Sequence, residues 1–69
     1  MNIVFTKHAI EQMNERNISE DEVIQTIKSS KKTQKIDNVY YASMNIGRAN
    51  IEVVYIIENY IKVITVYPL

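Results

Sequence analysis

The chain changes its hydrophobic period once. Over the first thirty or so residues apolar side chains recur every three to four positions, and from Lys32 onward they recur every second position. Residues 2–5 form a short apolar run that predicts a strand. Thr6 follows as a helix N-cap, and Phe5 with Ile10 has the spacing of a hydrophobic staple. Wound at about 100° per residue, this helix puts Ala9, Ile10, Met13 and Asn17 on one narrow stripe. His8, Gln12 and Arg16 form a column beside it, and Glu11 and Glu15 face away. The helix ends at Asn17, a residue that tolerates the left-handed conformation of a C-terminal cap. A second start signal follows at once: Ser19 and Glu22 have capping-box spacing, and Ile18 with Val23 repeats the staple. Glu20, Asp21 and Glu22 in its first turn and Lys28 in its last match the helix dipole. Val23, Ile24 and Ile27 are its predicted buried stripe. So short a connection between the helices predicts a tight hairpin.

The alternating half divides at turn residues. Thr33–Ile36 and Val39–Asn45 are predicted strands joined at Asp37 and Asn38. Ile46, Gly47 and Arg48 turn the chain into the longest strand, Ala49–Ile57, which presents Ala49, Ile51, Val53, Tyr55 and Ile57 on one face. Glu58 and Asn59 turn it again into Tyr60–Tyr67, ended by Pro68; strict alternation there puts Ile61, Val63, Thr65 and Tyr67 on a common face. Serial hairpins make an antiparallel meander. The predicted class is α+β: a short N-terminal strand, then a helical hairpin packed on one face of a three- to four-stranded antiparallel sheet. The other face carries Val54 and Ile56 among polar residues. It therefore wants a cover, which a substrate, a partner or a second copy of the chain would supply.

Sixty-nine residues make a single domain, 1–69. The absence of cysteine excludes disulfides and Cys/His zinc, and agrees with a cytoplasmic, reducing setting. No apolar run approaches the ~18 residues that cross a bilayer, and the N-terminus lacks a secretory pattern. Eight basic and eight acidic residues cancel, which argues against a strong non-specific grip on nucleic acid. The signs are segregated, however. Glu11, Glu15, Glu20, Asp21 and Glu22 lie early, while Lys28, Lys31, Lys32 and Lys35 follow without an acid among them, forming either a phosphate-facing patch or a solvated helix end.

The sequence has no glycine-rich phosphate loop, no Ser-His-Asp setting, no two-histidine metal motif and no paired carboxylates of the glycosidase kind. Neither a metal nor a cofactor is expected. What remains is metal-free chemistry by His, Arg, Lys and Tyr. RNA suits that set, because its 2′-hydroxyl is an internal nucleophile. His8, the only histidine, is at the second position of its helix, as a general base or acid or as a plain surface residue. Arg16 suits a developing negative charge, or an ion pair with Glu15 or Glu20. The five tyrosines suit base stacking or the covering of a half-buried sheet.

With these residues in view, the chain resembles a small bacterial and archaeal family, domain of unknown function 4258. The resemblance runs through Phe5–Ala9, Gln12 and Met13, Glu15–Ser19, Glu22 and Val23, Val53–Tyr55 and Val63–Tyr67. That family is similar to the RelE/ParE-like toxins, which share a helical hairpin on a curved antiparallel sheet and include ribonucleases and gyrase poisons. The resemblance implies a metal-independent endoribonuclease, with RNA and a cognate antitoxin-like protein as partners. It transfers His8, Arg16, Thr65 and Tyr67 as catalytic positions. In such an enzyme the lysine cluster read from the charge pattern, Lys28, Lys31, Lys32 and Lys35, would hold flanking phosphates. The chain departs from the family pattern at Asn17, where glycine is usual, and at Gln12, where arginine is frequent. The second expectation is a non-catalytic interaction module that forms a homodimer through its outer sheet face.

Overall fold

The computed structural model describes residues 2–69. Seven elements follow in order: β1 (Ile3–Phe5), α1 (Lys7–Arg16), α2 (Glu20–Ser29), β2 (Lys32–Ile36), β3 (Val39–Asn45), β4 (Asn50–Ile57) and β5 (Ile61–Pro68). The class is α+β, with two helices packed on one sheet. That sheet is five-stranded and mixed, in the order β1-β5-β4-β3-β2. The meander β2 to β5 is antiparallel, as its turns require. The N-terminal strand adds to its end, parallel to β5, with Ile3 opposite Ile61 and Phe5 opposite Val63. Hairpin turns specify the partners of the last four strands. Nothing local specifies the partner of β1, so the sequence left its place open.

The helix ends form where the capping residues stand. The Thr6 hydroxyl accepts the Ala9 N–H (3.1 Å), and Asn17 closes α1 in the left-handed region at φ 55°. Ser19 and Glu22 complete the reciprocal capping box. Thr6 has a second task. Its N–H donates to the Val63 carbonyl (3.0 Å) and its hydroxyl donates to that of Ile64 (2.9 Å), which pins the start of α1 to β5.

The helices cover one sheet face. Ala9, Met13, Ile18 and Val23 pack with Ala42, Ile51, Val53, Tyr55, Val63 and Val66. Two details differ from the periodicity. Ile10 is 42 % exposed, because the side chains that α1 buries are Ala9 and Met13. In α2 the centre of the buried stripe is Thr26, between half-buried Ile24 and Ile27. Its hydroxyl donates to the Glu22 carbonyl (2.8 Å), so only its methyl needs an apolar neighbour.

β5 departs from strict alternation. Val54 pairs with Thr65, yet the next residue, Tyr55, pairs with Val63; Ile64 is an extra residue on β5. Val63 and Val66, three positions apart, are therefore both fully buried beneath the helices. Thr65 and Tyr67 still share a face, but it is not the face of Ile61 and Val63. They project from the outer side of the sheet with Val54 and Glu52. The alternating pattern could not reveal this, since a bulge leaves no mark in a run where every residue suits a strand.

A charged clamp holds the turns together at one end of the molecule. Arg48, in the β3–β4 hairpin, places Nη1 2.6 Å from Glu22 Oε2 and Nη2 3.0 Å from Oε1. Nη2 also donates to the Asn17 carbonyl, so one guanidinium satisfies the end of α1 and the cap of α2. Hydrogen bonds from Arg48 and from the Ser19 backbone lower the Glu22 carboxyl to about 2. Its unfolded counterpart titrates near 4.3, so on acidification the unfolded chain takes up this proton first. The contribution of the pair is complete above that value and is lost as pH falls towards 2. Thermal midpoints of the wild type should therefore fall more steeply between about pH 5 and pH 2 than those of Arg48→Met. Parallel slopes would contradict the clamp.

Candidate functional site

The outer sheet face is where polar chemistry collects. Register aligns two rows across the strands. Lys32, Ser43, Glu52 and Tyr67 make one, and Gln34, Tyr41, Val54 and Thr65 make the other. Each row spans three strand spacings, roughly 14 Å. Ser43 is small, and the space above it opens into a groove of about 370 Å³ walled by Lys31, Lys32, Gln34, Tyr41 and Glu52. A second groove, about 660 Å³, continues from the same two lysines and Ser43 past Asn45 and Asn50 to Leu69. Val54 is 8 % exposed although no helix lies over it, so the tyrosines and Thr65 around it already cover this face in part.

Local structure explains why the lysines sit here. α2 ends at Ser29, and Ser30 turns extended at φ −60°, ψ 133°. The Ser30 hydroxyl donates to the Ser43 carbonyl (2.7 Å) and accepts the Lys32 N–H (3.1 Å). This one side chain fixes the start of β2 against β3, and Lys31 and Lys32 leave the backbone over the groove.

At the opposite end of the row, the Tyr67 hydroxyl donates to Glu52 Oε1. That bond, then burial and the negative charge of Glu52, pushes the phenol up to about 12; Tyr41 nearby adds to the shift. Tyr67 is thus protonated at neutral pH and faces a carboxylate across adjacent strands.

The residues singled out by sequence occupy two layers. Thr65, Tyr67, Lys31 and Lys32 meet on the outer face. His8 and Arg16 are exposed on α1, in the helical layer, and flank half-buried Gln12. Arg16 forms no ion pair with Glu15 or Glu20; the ion pair among the described residues is that of Arg48 with Glu22. Lys28 is exposed in the last turn of α2. Lys35 lies on the helix-facing side, its ammonium 5.5 Å from the Tyr40 ring, which in turn stacks on Tyr55 at 5.1 Å. Glu52 and Ser43 were legible only as outward positions of their strands. Their partnership with Tyr67 and Lys32 depends on a register that the bulge alters.

A family model described as Domain of unknown function (DUF4258) matches residues 5–68. The chain belongs to this family. No curated protein and no solved structure matches the chain. The matched span runs from the last residue of β1 to the last residue of β5 and takes in every element between them.

The Tyr67–Glu52 bond is directly measurable. Followed by the ring-carbon shift of Tyr67, ionisation should have its midpoint near 12, and Glu52→Ala should bring it back towards the ordinary value of about 10. A midpoint that ignores Glu52→Ala would mean that the two side chains do not interact.

Proposed function

We propose that this DUF4258 domain is a toxin-type, metal-independent endoribonuclease that takes unpaired RNA on the outer face of its sheet. The observation that carries the reading is the groove where Lys31 and Lys32 meet Tyr41, Ser43 and Glu52, with Tyr67 and Thr65 continuing the same face. The likeness of the family to RelE/ParE-like toxins supports it. Two lysines supply phosphate contacts on a chain with no net charge, so binding leans on shape and stacking rather than on bulk attraction. Half-buried Tyr41 and Tyr67 on this face suit that role, since base–aromatic stacking is worth roughly 1–3 kcal/mol per base and tolerates any sequence. An antitoxin-like partner would neutralise the activity by covering the same groove.

The test is incubation of the purified chain with an unstructured RNA oligonucleotide in excess chelator. Cleavage is expected. Replacing both Lys31 and Lys32 by alanine should weaken binding and flatten the dependence of log affinity on log salt by about 1.4. His8→Ala and Arg16→Ala, run alongside, decide whether the helical column takes part: lost cleavage in a folded variant would give those residues the roles implied by the family likeness. RNA neither bound nor cut would overturn the proposal. With it, a dimer in sedimentation equilibrium that Ile56→Lys dissociates would favour an interaction module on this face.

A further inference from the structure

We propose that Glu52 and Tyr67 are the proton-transfer pair of this site: Glu52 takes the proton of an attacking ribose 2′-hydroxyl, and Tyr67 gives one to the departing 5′-oxygen. The inference rests on the ribonuclease reading and names its catalytic residues. Three observations carry it. First, the two side chains are cross-strand partners held in contact, with Tyr67 donating to Oε1. Among the described residues Oε2 has no hydrogen-bond donor, so the carboxylate keeps one oxygen for a substrate hydroxyl. Second, Glu52 walls the groove that Lys31 and Lys32 also line. A phosphodiester between the lysines and the carboxylate has cations where negative charge develops and a base where a proton must leave. Third, neither residue is committed elsewhere: the bidentate arginine contact of the chain goes to Glu22, on another face.

The chemistry balances without water or metal. The 2′-oxygen bonds to the adjacent phosphorus as its proton passes to Glu52. The bond from phosphorus to the 5′-oxygen breaks, and that oxygen takes the Tyr67 proton. The carboxyl group then returns its proton to the phenolate beside it, which regenerates the pair. The products are a 2′,3′-cyclic phosphate and a 5′-hydroxyl. An ordinary phenolate is already far more basic than a carboxylate, so the return of the proton needs no further group.

A carboxylate–phenol bond could also serve only to tie β4 to β5, and the substitutions separate the two roles. Glu52→Gln keeps an acceptor for Tyr67 and removes the base. Single-turnover cleavage should fall by about 10²-fold or more, while RNA affinity and thermal midpoint stay near those of the wild type. Tyr67→Phe should also be slow on ordinary RNA. On a substrate whose bridging 5′-oxygen is replaced by sulfur, whose thiolate leaves without a proton, the Tyr67→Phe deficit should vanish and the Glu52→Gln deficit should persist. Cleavage by Glu52→Gln at the wild-type rate overturns the pair while leaving the ribonuclease reading in place. So does a Tyr67→Phe deficit of equal size on both substrates. A wild-type chain that binds RNA but leaves it uncut overturns both.

Discussion

One threonine hydroxyl sits at the point on which both faces of this sheet depend. Thr6 caps α1 by accepting the Ala9 N–H and at the same time donates to the carbonyl of Ile64, while its own N–H reaches that of Val63. Those two carbonyls belong to the bulged stretch of β5. The bulge brings Val63 and Val66 inward together, and α1 seats Ala9 and Met13 on the surface they help to form. Had β5 alternated strictly, Thr65 and Tyr67 would lie beneath the helix with Val63. The extra residue sends them to the outer face, in line with Glu52 and within reach of the groove. Helix placement and site composition are thus consequences of a single irregularity, tied to the start of α1 by two hydrogen bonds from one residue.

Two further contacts fix the remaining layer by the same economy of parts. Arg48 closes the helix–helix turn onto the β3–β4 hairpin through Glu22 and the Asn17 carbonyl. Ser30 closes the other end of α2 onto β3 through the Ser43 carbonyl. Between them α2 is tethered at both ends, which fits a 69-residue chain whose core is small. The same Ser30 contact directs the lysines over Ser43, so a structural tether and a candidate binding feature share one side chain.

Local signals in the sequence carried most of the fold. Thr6, Asn17, Ser19 and Glu22 marked the helix ends because caps act within three or four residues. Asp37, Asn38 and Gly47 marked hairpins for the same reason. Long-range facts were not legible. The parallel pairing of β1 with β5, the bulge at Ile64 and the reach of Arg48 across 26 residues to Glu22 each depend on tertiary geometry. The site was half legible: Thr65, Tyr67, Lys31 and Lys32 were singled out by sequence and lie on one face. Glu52 became visible only when register brought it beside Tyr67. His8 and Arg16, picked out by helical spacing, belong to the other layer, because a shared column on a helix says nothing about which strand it overlooks.

The most direct measurement concerns the side of the sheet that bears Tyr67. In nuclear Overhauser spectra of the folded chain, the Tyr67 ring protons should show cross-peaks to the Val54 methyls and to the Tyr41 ring, with none to the Ala9 methyl. Contacts from Tyr67 to Ala9 or Met13 would place it under α1. The bulge, the outer-face rows and the proposed Glu52–Tyr67 site would then fall together.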